Sequence, residues 1–316
     1  MPRDTSGTSA LSRREALYGA LAVGAGAMLA GPVLGATDPA LPLITKVIPS
    51  SGEKLPAIGL GTDKFDLDAR EPILAEIQRM QQLGGTLIDT AAAYGDSETL
   101  IGEALAGSRE RMFIATKLTA SGGGFRGGGV GGQESFERSL RRLRTSKIDL
   151  LQVHNLDGVD ALLPLLQQWK QAGKIRYLGI TTSRVAQHEQ MIGYLRKYPL
   201  DFVQVDYSLD NRDAAKGLLP LAQERHVAVL ANVPFGFGNL LRRAQTRKLP
   251  PWAADIDASS WGQFLLKYVI SHPAVTCAIP GSTQVAHLVD NQGAARGRLP
   301  DEAMRRRMEQ FWDSAG

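Results

Sequence analysis

The chain has 316 residues, with 36 Lys and Arg against 32 Asp and Glu and a formal net charge of +4. The two signs interleave, so no basic tract marks a nucleic-acid surface and no nucleic-acid partner is expected. The single Cys277 excludes an internal disulfide, and none of the five histidines stands in metal-ligand spacing with another His or Cys.

From the N-terminus, Ser12-Arg13-Arg14-Glu15 leads into an uncharged stretch, Ala16 to Leu34, rich in Ala and Gly and ending at Gly35-Ala36. A charged start, a weakly apolar middle and a small-residue end have the form of a twin-arginine export signal over residues 1–36, cut after Ala36 or Gly35. The export machinery is then a partner, and residues 37–316 form one exported, periplasmic domain. An uncleaved anchor competes, but Pro32 and the glycines interrupt the run, and a membrane helix wants about 20 predominantly apolar residues.

Next, Ser50-Ser51-Gly52-Glu53 is a turn between Lys46-Val47-Ile48 and Leu55-Pro56-Ala57, which predicts a hairpin. Ala57 to Thr62 reads as a strand ending in glycines. Glu71 to Leu83 has helical apolar spacing, with Pro72 in its first turn. The alternation then repeats. Leu87–Asp89, Arg111–Lys117, Ile148–His154, Ile175–Ile180, Phe202–Tyr207, Val227–Leu230 and Ala274–Ile279 read as strands. The segments 98–105, 134–143, 161–171, 188–197, 214–223 and 261–271 read as helices between them, and 284–292 and 301–312 as closing helices. Asp96 or Ser97 is placed to cap the helix that opens at Glu98. Eight strand–helix units in one domain predict an α/β fold, a parallel eight-stranded (β/α)8 barrel with an N-terminal hairpin and extra C-terminal helices. An open doubly wound sheet lacks its Gly-x-Gly-x-x-Gly turn here. Two long connections, the glycine-rich 121–133 and 235–252, read as loops over the barrel mouth.

In such a barrel the strand C-termini converge. Strand ends then deliver Asp89, Lys117 and His154 to one face, with Tyr94 in the loop behind Asp89. Tyrosine titrates near about 10, and a neighbouring ammonium favours its phenolate and lowers that value. Asp89 pairs with Lys117; His154 places a substrate carbonyl over Tyr94. The set suits giving a proton to a carbonyl oxygen as hydride reaches its carbon.

Ile88-Asp89-Thr90-Ala91 with Tyr94-Gly95 and Ser97-Glu98, then Ile114-Ala115-Thr116-Lys117, then Asp149-Leu150-Leu151-Gln152-Val153-His154, resembles the aldo-keto reductase superfamily from about Val47 to Asn291. The resemblance implies NADPH-dependent carbonyl reduction, with NADH also possible, and Tyr94 as proton donor supported by Asp89, Lys117 and His154. It further implies that Gly61-Thr62 lies near the nicotinamide and that Gln204 holds its carboxamide. Thr181-Thr182 stands where relatives often have Ser-Asn. Asn232, in Asn232-Val233-Pro234-Phe235-Gly236, aligns with the aromatic residue that stacks on the nicotinamide, and Phe235 and Phe237 are the nearest replacements. Gly281-Ser282-Thr283 with His287, Asp290 and Asn291 resembles the phosphate and adenine clamp, where many relatives carry Lys at 281 and Arg at 287. The expected substrate is a small-molecule carbonyl compound and the expected state a monomer. Two alternatives stay open: an alcohol or sugar dehydrogenase running the reaction in reverse, and a cofactor-binding regulatory barrel without turnover.

Overall fold

A computed structural model describes residues 40–121 and 132–314. The expected export signal, residues 1–36, and most of the glycine-rich loop fall outside the described residues.

A two-stranded antiparallel hairpin comes first, β1 (Thr45–Val47) and β2 (Lys54–Pro56). Eight parallel strands follow: β3 (Leu60–Gly61), β4 (Leu87–Asp89), β5 (Phe113–Leu118), β6 (Ile148–Val153), β7 (Ile175–Thr181), β8 (Phe202–Asp206), β9 (Ala228–Asn232) and β10 (Val275–Ala278). Each pairs with its neighbours in sequence order. Parallel bridges Ile58↔Ala278 and Gly61↔Gly281 join the first strand to the last. Glycine is needed at that seam, because a Cβ at Gly61 would lie 2.9 Å from the Ile279 carbonyl oxygen. The same seam shortens the first strand. Of the expected Ala57–Thr62 only β3 keeps a ladder to β4, while Gly59 N–H and the Ala57 carbonyl bond Ala278 instead.

Helices α1 (Arg70–Gln82), α2 (Ser97–Ala104), α3 (Gly132–Arg142), α4 (Val159–Gln171), α5 (His188–Lys197) and α6 (Leu218–Glu224) cover successive strands. The expected helix 214–223 is divided, a 3-10 turn Asp213–Lys216 preceding α6. The connection after β9 is not plain loop: it holds α7 (Asn239–Ala244) and a 3-10 segment, Pro251–Ile256. Then come α8 (Trp261–Ile270), α9 (Val285–Gly293) and the additional C-terminal α10 (Glu302–Asp313). Among the described residues no helix is long and apolar enough to cross a membrane.

Side-chain alternation along a strand sends every second residue inward. Leu87, Phe113, Leu150, Tyr177, Phe202 and Cys277 form the interior cluster, joined by Ile48 and Leu55 of the hairpin region. Cys277 is a buried free thiol, and burial pushes it well up. The Tyr177 hydroxyl donates to Glu53 at 2.7 Å, so the hairpin closes the end where the strands begin. The opposite, C-terminal end carries the polar residues.

Candidate active site

Alternation on β4 puts Leu87 and Asp89 on the inner face; on β5 it puts Phe113, Ala115 and Lys117 there. Register places Asp89 beside Gly61 and Ala115. Lys117 Nζ therefore reaches Asp89 Oδ2 at 2.6 Å and the Thr90 carbonyl oxygen at 2.8 Å. The pair is almost sealed, with side chains 1% and 5% exposed. Tyr94 lies above it, its ring centroid 5.0 Å from Lys117 Nζ. His154 begins a 3-10 turn directly after β6 and meets the Tyr94 ring edge-on, centroids 5.7 Å apart at 78°. The structure thus brings all four residues of the predicted constellation together.

The electrostatics refine their roles. Burial alone would lower Lys117, but Asp89 and the Tyr94 phenol overcome it and hold the ammonium charged, above its ordinary value. Burial, with Lys117 adding to it, lowers His154 to about 3, so the imidazole is neutral at physiological pH. Tyr94 departs from the sequence expectation. Its burial pushes the phenol up, Asp89 and Asp63 push the same way, and Lys117 pulls down without prevailing. Desolvation wins because a phenolate here has lost water, whereas the lysine's charge is already engaged by Asp89. Tyr94 is a retained proton, not a standing phenolate.

A chain of hydroxyls fixes the loop that carries Tyr94. Thr62 Oγ1 donates to the Asp89 carbonyl at 2.9 Å, Ser97 Oγ donates to Thr62 Oγ1 at 2.6 Å, and Thr90 Oγ1 lies 2.9 Å from Ser97 Oγ. The capping expectation is corrected accordingly. Asp96 is the N-cap of α2 but makes no side-chain cap bond, and the Ser97 hydroxyl is engaged with Thr62 and Thr90 instead. Thr90 and Ser97 carried no signal of these contacts in the sequence, since Ser97 reaches back 35 positions to Thr62.

The expected cofactor residues fall into two groups. Thr181, Thr182, Gln204 and Asn232 stand at adjacent strand ends. Gln204 Nε2 donates to Asp89 Oδ1 at 2.7 Å, Thr181 Oγ1 donates to Gln204 Oε1 at 3.0 Å, and Thr182 Oγ1 donates to Gln187. Asn232 Nδ2 donates to the Thr182 carbonyl at 3.0 Å, and Asn232 Oδ1 is a buried acceptor without a partner. Pro234 is buried and Gly236 has φ +55°, where a Cβ would strike Leu240 at 2.5 Å. Phe235 packs against the core, and Phe237 is 77% exposed, so only Phe237 offers a free aromatic face.

The second group follows β10. Gly281 is exposed beside the seam, and a Cβ there would make ordinary contact with Asp63 Oδ1 at 3.4 Å. Ser282, Thr283 and His287 are half-buried around it. Glu76 of α1 lies beneath. Its burial raises the carboxyl to about 7, the Ser282 hydroxyl opposing. Asp290 is buried at this side and accepts from Ser260 Oγ at 2.8 Å and Gln263 Nε2 at 3.0 Å, clamping α9 to α8. Asn291 is likewise buried. Exposed Gly281, the hydroxyls of Ser282 and Thr283 and the N-terminus of α9 together have the chemistry to take the phosphate end of a dinucleotide, with no lysine or arginine at 281–287.

Residues 57–312 match the aldo/keto reductase family model. Methylglyoxal reductase YeaE of Escherichia coli (strain K12) is 32% identical over 254 residues, 78% of this chain and 88% of that protein. A crystal structure of an aldo/keto reductase from Klebsiella pneumoniae in complex with NADP and acetate superposes with a TM-score of 0.71 at 25% identity, covering 84% of this chain and 95% of that one. A Klebsiella pneumoniae aldo-keto reductase in complex with NADPH gives 0.72 at 25% identity, over 86% and 96%. With the barrel, the four-residue cluster and a match over most of its length, the chain belongs to the aldo/keto reductase family of oxidoreductases.

Proposed function

We propose that this NAD(P)-dependent oxidoreductase reduces small aldehydes or ketones to alcohols, with Tyr94 giving the proton. The observation that carries the reading is the sealed Asp89–Lys117 pair beneath a protonated Tyr94 and a neutral His154. Neutral His154 can donate one N–H to the carbonyl oxygen and hold it over the phenol. When bound, the reduced nicotinamide supplies the hydride. As charge develops on the oxygen, Tyr94 transfers its proton there, and the Lys117 ammonium stabilises the phenolate left behind. Solvent then returns a proton to Tyr94.

NADPH is the cofactor this reading takes, because the two Klebsiella relatives were solved with NADP and NADPH. Gly281, Ser282 and Thr283 would hold its phosphate end. NADH stays within reach, since neither 281 nor 287 supplies the lysine or arginine that favours an extra phosphate. Methylglyoxal is the first substrate to try, after the Escherichia coli relative. The purified protein should consume either cofactor in the presence of methylglyoxal or an aromatic aldehyde, followed by absorbance. No consumption across a broad carbonyl panel would sink the reading.

The domain is proposed to act outside the cytoplasm. Ser12-Arg13-Arg14 before the uncharged Ala16–Leu34 stretch supports twin-arginine export. Arg13→Lys with Arg14→Lys should trap a longer, active precursor in the cytoplasm on fractionation. Equal periplasmic yield from wild type and variant would overturn this assignment.

A further inference from the structure

We infer that Glu76, the carboxyl that α1 buries beneath the 281–283 loop, is a specificity-determining residue for the cofactor: when ionised it weakens the hold of that loop on a phosphate, and so sets the choice between NADPH and NADH. The inference rests on the cofactor reading above and brings a residue of the first helix into it.

Glu76 is 0% exposed, and among the described residues neither of its carboxyl oxygens has a hydrogen-bond partner. The other buried residues of α1, Ile73, Ile77 and Met80, are apolar and belong to the core. An unpaired acid in that stripe is costly, so packing alone does not account for it. The polar group it meets is Ser282. The Ser282 hydroxyl donates to the Gln284 carbonyl at 3.1 Å and accepts from the Gln284 N–H at 3.2 Å, which forms the turn into α9. That helix opens at Val285 with no side-chain bond from its N-cap, Gln284, and no acid in its first turn. An uncapped helix N-terminus, two hydroxyls and an exposed glycine favour an anion on the outer side of the loop. Glu76 lies on the inner side. Its charge opposes that anion through buried protein, where salt screens poorly. Positions 281 and 287 hold no lysine or arginine to offset it. NADPH carries a phosphate that NADH lacks, so the repulsion falls on NADPH. With the carboxyl at about 7, both of its forms are present near neutrality.

The charged groups on the surrounding elements are engaged elsewhere or shared by every variant. On α2, Glu103 pairs with Arg70 and Glu98 accepts from Thr116. On α9, Asp290 accepts from Ser260 and Gln263, and His287 is half-buried beside the loop. After β3, Asp63 and Lys64 pair at 3.7 Å, Asp66 is the N-cap of the 3-10 turn before α1, and Asp68 is exposed. On α1 itself Glu71 pairs with Arg70, and Arg79 donates to Gln82.

The test is the Kd of NADPH and of NADH, from quenching of intrinsic fluorescence, for wild type and Glu76→Gln at about pH 6 and about pH 8.5. The substitution keeps the shape and leaves His287 and the ionisation of the ligand unchanged, so the difference between the two proteins at one pH isolates the Glu76 charge. At the higher pH Glu76→Gln should bind NADPH about tenfold tighter than wild type, with NADH within about twofold. At the lower pH, where the wild-type carboxyl is protonated, the two proteins should agree on NADPH within about twofold. If Glu76→Gln does not fold, Glu76→Leu removes the same charge and decides on the same comparison. Equal NADPH Kd in wild type and variant at the higher pH would overturn the inference. So would an equal change for NADH, which a general disturbance of α1 would produce. Wild-type protein that binds neither cofactor at either pH would overturn the cofactor reading itself, an outcome distinct from an unchanged ratio between the two.

Discussion

Tyr94→Phe should lower kcat for carbonyl reduction by about 10²–10⁴-fold while leaving cofactor Kd and thermal stability near wild type. The substitution removes one oxygen and keeps the ring, so the edge-on contact with His154 persists. Lys117 keeps Asp89 and the Thr90 carbonyl, so no buried charge is orphaned. No neighbour can replace the lost acid. His154 is held neutral down to about 3, so above that value it carries no extra proton to give. The Lys117 proton faces Asp89, and its raised value makes it a weak donor. The pH dependence follows in sign. Tyr94 is held above its ordinary value, so it stays protonated through neutrality, and the reductive rate should fall only as pH rises through that raised value. Between about pH 6 and 9 neither residue titrates, and the profile should be flat on their account. A Tyr94→Phe variant retaining more than about a third of wild-type kcat would assign the proton to another group.

How much of this was readable beforehand depends on the range of the interaction. Apolar runs ending on Asp89, Lys117 and His154 are local patterns, and strand–helix alternation is local too, so barrel and constellation were both legible. Partner choice was not. Gln204 finds Asp89 across 115 positions and Ser97 finds Thr62 across 35, and no periodicity records such a pairing. Asp290 shows the same limit from the other side. Its motif carried no sign of Ser260 and Gln263, which lie 30 and 27 positions away and donate to its carboxylate. The segment 235–252 was illegible for a different reason. Glycines and prolines around α7 hide a helix of only six residues, shorter than the window over which helical spacing can be seen. The direction of the Tyr94 shift failed on magnitude: ammonium and burial oppose each other, and only coordinates show that burial is the larger.

Lys117→Met should abolish measurable turnover and also destabilise the fold by about 3–5 kcal/mol, because it leaves Asp89 charged, buried and without its counter-ion. The reason for so large a structural cost is exposure: at 1% and 5%, water cannot rescue either partner. Gln204 would remain as the donor to Asp89, and one amide does not replace an ammonium. The sign with pH separates the two effects. In the wild type Lys117 titrates above its ordinary value, so its ammonium contributes through neutral pH and that contribution is lost as pH rises through the folded value; on the acid side the pair is lost when Asp89, itself raised by burial, takes a proton. In Lys117→Met, Asp89 takes a higher proton affinity than in the unfolded chain, so the deficit should shrink as pH falls through its folded value and protonation removes the buried charge. Urea melts at several pH values measure this. Adding Asp89→Leu to Lys117→Met should recover most of the stability and none of the turnover, since it removes the uncompensated charge but not the need for a cation beside Tyr94. A single variant that loses less than about 1 kcal/mol, or a double variant no more stable than the single, would show that Asp89 does not depend on Lys117 for its place in the barrel.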